Sequence, residues 1–144
     1  MTTMNAPELA LEVSRVINAS KERLFNAWLD PKMLAQFMTP GEGVTVPEAK
    51  TDPKEGGRYL IVMRTPERDL PHSGTYQAID PHDRIVFTWE SEFSRDDSEV
   101  TLTFDDADGG TLVTLRHVRF LDEEKRNNHE KGWGAILEAL AEVA

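Results

Sequence analysis

The chain contains no cysteine. That excludes disulfides, thiolate metal sites and a cysteine nucleophile, and it leaves the fold to be held by its core. Basic side chains are scarce too: 16 Lys and Arg stand against 26 Asp and Glu, a net charge of −10. A nucleic-acid partner needs cations to replace condensed counterions, so this balance argues against one. It argues equally against an anionic membrane surface. No stretch approaches the roughly 20 consecutive apolar residues of a membrane span. The opening MTTMNAPELALEV has no basic segment followed by an apolar run, so no signal peptide is visible and a cytoplasmic location is expected. Catalytic signatures are also missing. There is no HExxH, no G-x-S-x-G elbow and no phosphate-binding glycine loop. The run DDADGG, from Asp105, resembles a calcium loop, but with Gly109 as sixth residue Phe104 falls where the first carboxylate belongs. No metal, cofactor or catalytic residue is expected on these grounds.

What is present reads as one domain, 1–144, with 1–7 as a flexible N-terminal tail. Leu9, Leu11 and Val13 alternate with smaller or polar residues, which predicts a strand. Ser20 then caps a short helix carrying Leu24, Phe25, Trp28 and Leu29. Asp30 caps a second, with Pro31 at its first position and Met33, Leu34 and Phe37 along it. Pro40-Gly41 ends that helix. About six strands follow, from Val44 to Arg119, joined by turns at Glu55-Gly56-Gly57, Asp80-Pro81-His82-Asp83 and Asp108-Gly109-Gly110. Thr65 to Ser73, rich in proline and charge, reads as a loop, with His72 solvated in it. The short connections predict an antiparallel sheet. Trp133, Ile136, Leu137, Leu140 and Ala144 then fall on one stripe of a final long helix, and His129 extends the stripe back by one turn. Gly132 and Gly134 flank Trp133 in that helix. Two readings stay open for them: a close approach of the helix to the sheet or a loop, or a break after a short turn at Asp122 to Glu130.

An antiparallel sheet with one apolar face needs a cover, and one amphipathic helix is narrow, so the sheet must curl and enclose a space. The fold class expected is α+β: a curved antiparallel sheet of six to seven strands wrapped around a long C-terminal helix, with two short helices after strand 1. Four stretches in order carry a resemblance. They are Gly56-Gly57-Arg58-Tyr59, Asp80-Pro81 with Arg84 to Trp89, Thr111 to His117, and His129 with Gly132-Trp133, Leu137 and Leu140. Together they resemble the activator-of-heat-shock-ATPase-homologue family of the START-like, helix-grip (SRPBCC) superfamily, from about Leu9 to Leu140. Many members have tryptophan where this chain has Phe37. The resemblance implies a deep hydrophobic pocket between the long helix and the sheet. It also implies ligands among lipids, polyketides, hormones or aromatic metabolites, and a stress-response setting.

Strand parity points Tyr59, Ile61, Met63, Tyr76, Phe87, Trp89 and His117 inward. The helices add Trp28, Phe37, Met38, His129, Trp133, Ile136 and Leu137. This set is heavy in aromatics and poor in polar groups, as small-ligand pockets are. The plain alternative is that the same residues simply fill a core. His117, on the inward parity, could orient a ligand carbonyl or hydroxyl, or be a structural histidine satisfied by Tyr76 or backbone. The leading expectation is binding or sensing of a small hydrophobic, aromatic or lipid-like metabolite. An enzyme of cyclase, lyase or hydrolase type is the alternative, with His117 or His129 as acid or base and Tyr59 or Tyr76 as donor. A chaperone-activating partner is the third and least expected, because the eukaryotic activator has a second domain for which this chain has no room. A homodimer through a strand edge or the short helices is compatible with the sequence.

Overall fold

The computed structural model describes residues 9–92, 94–95 and 97–144. The expected tail at 1–7 lies outside the described residues. In chain order come β1 (Ala10–Ile17), α1 (Lys21–Ala27), α2 (Pro31–Phe37), β2 (Thr45–Thr51), β3 (Arg58–Arg64), β4 (Asp69–Asp80), β5 (Arg84–Thr88), β6 (Glu99–Ala107), β7 (Gly110–Val118) and α3 (Glu123–Val143). The strands form one antiparallel sheet in the order β1-β7-β6-β5-β4-β3-β2, curled into a half-barrel whose concave face holds α3. The α+β helix-grip architecture expected from the element order is the one observed.

Local chemistry explains the helix starts. Ser20 Oγ accepts from the Arg23 amide at 3.1 Å, and Asp30 Oδ1 accepts from the Lys32 amide at 2.9 Å. Asp122 Oδ1 does the same for Lys125 at 2.8 Å. Each cap satisfies an amide that the first helical turn leaves open. From Asp122 onward α3 runs unbroken, so Gly132 marks no break. Its apolar stripe is buried at Trp133, Ile136, Leu137 and Leu140. Each such side chain contributes about 1.5–3 kcal/mol relative to exposure. The helix packs on β1 and on α2, which closes one end of the half-barrel.

The stretch read as a loop from Thr65 to Ser73 is corrected. Only 65–68 form the turn, closed by the Thr65 amide on the Arg68 carbonyl at 2.9 Å, and β4 begins at Asp69. Pro71 is tolerated because this half of β4 is paired to β3 alone. The register with β5 starts only at Tyr76, apart from a single bridge at Ser73. Strand alternation then carries His72 inward with Gly74 and Tyr76. His72 is 6% exposed, not solvated as the loop reading implied.

Candidate functional site

Under α3, between its middle turns and strands β3, β4 and the residue after β5, lies a cavity of about 240 Å³. Met63, Leu70, Trp89, Trp133 and Ile136 give it an apolar wall, with Pro40 and Gly132 at its rim. His72, Asn128 and His129 supply the polar atoms. Five sequence-derived candidates therefore meet here: Met63, Trp89, His129, Trp133 and Ile136. Trp28, Met38, Tyr59, Ile61, Tyr76 and Phe87 instead surround a separate void of about 10 Å³, too small for more than one water. Phe37, His117 and Leu137 are buried and line neither space. The interior is thus hollow at one end and packed at the other.

Sequence reasoning missed Pro40, Leu70, His72, Asn128 and Gly132. Alternation carried backwards from Tyr76 through Pro71 would have found His72. The close approach of the helix at Gly132 is to Pro40, whose Cβ would lie 3.2 Å from a Cβ placed there. Contact with a loop is therefore realised at Gly132, whereas a Cβ at Gly134 would meet nothing within 4 Å.

Four aromatic rings make a chain of tilted and edge-on contacts from the cavity wall into the core. Trp89 lies 4.8 Å from Trp133 and 4.8 Å from His72, and His117 stands 6.0 Å from Trp133. Trp133 Nε1 donates to His117 Nδ1 at 3.0 Å. An indole is a donor only, so His117 must carry its proton on Nε2 and donate it to Ser98 Oγ at 2.6 Å. Both ring nitrogens of His117 are engaged, and burial pushes its imidazole down to about 2. It therefore has no free valence for a ligand or for proton transfer, and it pins Trp133 against the sheet. The satisfying partners are Ser98 and Trp133, not Tyr76 or backbone. Tyr59 is engaged as well, its hydroxyl donating to the Thr88 carbonyl at 2.5 Å.

The two histidines that line the cavity, His72 and His129, differ. His129 Nδ1 meets the Lys125 carbonyl at 2.7 Å, and a carbonyl only accepts. The proton therefore sits on Nδ1, and Nε2 is left as an acceptor. Burial lowers the pKa of His129, with the Lys125 ammonium adding to the effect against that hydrogen bond. His72 is pushed down to about 4, again by burial, with the Leu70 and Ile61 carbonyls opposing. All three imidazoles are neutral at pH 7. Among the described residues, three buried ring nitrogens have no hydrogen-bond partner: Trp28 Nε1, Trp89 Nε1 and His72 Nδ1. Two of the three belong to residues that line the cavity, but the atoms themselves are closed off from it, at a cost of about 1–3 kcal/mol each.

A broader hollow of about 690 Å³ opens beside the start of α1, but it is shallow and polar and is crossed by the Lys21–Asp83 ion pair at 2.7 Å. No cluster of three or more His, Asp or Glu placed for a metal occurs among the described residues. No helix among them is long and apolar enough to cross a membrane.

A curled antiparallel sheet gripping a C-terminal helix, with an apolar cavity between them, defines a helix-grip protein of START-like type, a fold that binds ligands. The family model for "Activator of Hsp90 ATPase homolog 1-like protein" matches residues 18–144, and the chain belongs to that family. Among solved structures, protein CV1439 from Chromobacterium violaceum is similar at 25% identity and a TM-score of 0.85, over 93% of this chain and 95% of that one. The AHSA1 protein from Silicibacter pomeroyi is 29% identical, with a TM-score of 0.76, over 93% of this chain and 96% of that one. The AHSA1-like protein from Aeromonas hydrophila, at 21% identity and a TM-score of 0.80 over 92% and 90% of the two chains, shares the fold. No curated protein matches the sequence.

Proposed function

We propose that the chain binds or senses a small hydrophobic ring compound in the cavity beneath α3. The observation that carries this reading is the cavity itself: about 240 Å³ walled by Met63, Leu70, Trp89, Trp133 and Ile136, where the rest of the interior is closed. A cavity near 150 Å³ already accepts benzene, so this one has room for one substituted ring of about ten heavy atoms. A long lipid chain would need the packed end to open, so the aromatic half of the expected ligand range is favoured. Chemistry on the ligand is not supported by His117, whose nitrogens are both used. The test is a thermal-shift panel of monocyclic aromatics and medium-chain fatty acids on the wild type and on Leu70→Trp. Leu70 stands on the cavity wall, half-buried, where a larger ring fills the space. Aromatic compounds should stabilise the wild type and leave Leu70→Trp unmoved. Failure of every compound to shift the wild type would overturn the reading.

A further inference from the structure

The cavity has three features that apolarity alone does not require. No Lys, Arg, Asp or Glu lines it. His129 presents Nε2 as an acceptor, because its Nδ1 proton is committed to the Lys125 carbonyl. And two indole rings, Trp89 and Trp133, stand together in the wall.

These features narrow the ligand's chemistry. A charged group would be buried with no counter-charge, which costs several kcal/mol. A carbonyl or ether oxygen only accepts, so it would set its lone pairs against that of His129 Nε2. A plain hydrocarbon would fill the space and leave His129 Nε2 unanswered. A hydroxyl both donates and accepts. It can give its proton to His129 Nε2, the acceptor that the other groups cannot answer. The indoles of Trp89 and Trp133, in tilted contact with ring centroids 4.8 Å apart, favour an aromatic body behind that hydroxyl.

We infer that the cavity is a site for a neutral hydroxyarene, a phenol-type compound whose hydroxyl donates to His129 Nε2 and whose ring packs on Met63, Trp89 and Trp133. This assignment rests on the cavity-binding reading above and adds the ligand's polar group to it.

Three matched probes test it: 4-ethylphenol, ethylbenzene and 4-ethylbenzoate, titrated calorimetrically at pH 7.5. Transfer to an apolar cavity favours ethylbenzene unless the hydroxyl finds a partner. The expected result is that 4-ethylphenol binds at least as tightly as ethylbenzene and about 100-fold tighter than 4-ethylbenzoate. In His129→Phe, which keeps a ring and removes Nε2, 4-ethylphenol should weaken about tenfold while ethylbenzene is unchanged. Retained ethylbenzene binding also shows that the variant is folded. If 4-ethylphenol binds tenfold weaker than ethylbenzene, the hydroxyl assignment falls and the apolar cavity reading stands. Tighter binding of the benzoate would also overturn it, by showing an anion site. If none of the three binds, both readings fall together.

Discussion

At the scale of the residue, His117 is the hinge of the interior although it touches no ligand space. It joins Ser98 on β6's flank to Trp133 on α3 by two hydrogen bonds among buried residues. His117→Phe should leave the Ser98 hydroxyl and the Trp133 N–H both unpaired, at about 1–3 kcal/mol each. Urea denaturation should show the lower midpoint with an unchanged slope. Acid should act on the same group. An unfolded imidazole titrates near 6.5, whereas the fold holds His72 near 4 and His117 near 2. The unfolded chain therefore takes up protons first as the pH falls. Stability is full above about pH 7 and declines below about 6.5, by about 2 kcal/mol per buried imidazole on reaching pH 5. The decline should be shallower in His117→Phe, as denaturation curves at pH 7.5, 6 and 5 will report.

At the scale of the element, the two glycines of α3 separate cleanly. A methyl at 134 meets nothing within 4 Å, whereas one at 132 meets Pro40 at 3.2 Å. Gly134→Ala should stabilise by about 0.5–1 kcal/mol through helix propensity. Gly132→Ala should show little or none of that gain, because Pro40 must give way. Urea midpoints of the two variants, measured side by side, decide the matter. Elements of this kind were legible in advance where periodicity was long. The α3 stripe, the Ser20 and Asp30 caps and the inward parity of Tyr59, Ile61 and Met63 all follow from patterns with a physical cause. The first half of β4 was not legible, because Pro71 and the nearby charges look like a loop until one knows that this segment has a neighbour on one side only. The site suffered for it. His72 and Leu70 were lost with the strand, and which buried rings face a hollow and which face each other depends on packing that alternation does not encode.

At the scale of the molecule, charge and topology set the behaviour. Ion pairs such as Arg64–Asp69 and Arg84–Asp80 lie at the surface, where water screens them. The excess of −10 is spread over a small body, so mutual repulsion outweighs them. Raising sodium chloride from about 10 mM to about 150 mM shortens the screening length from about 30 Å to about 8 Å. Tm should rise with it; a fall would mean that the ion pairs dominate. Six of the seven strands are laid beside their sequence neighbours, but β1 pairs with β7, Ala10 opposite Val118. A ribosome releasing this chain from its front end therefore delivers a ribbon whose only hydrogen-bonding mate is still some hundred codons away. Until that mate emerges, β1's greasy side has no permanent shelter, and the nascent polypeptide stays open to clumping.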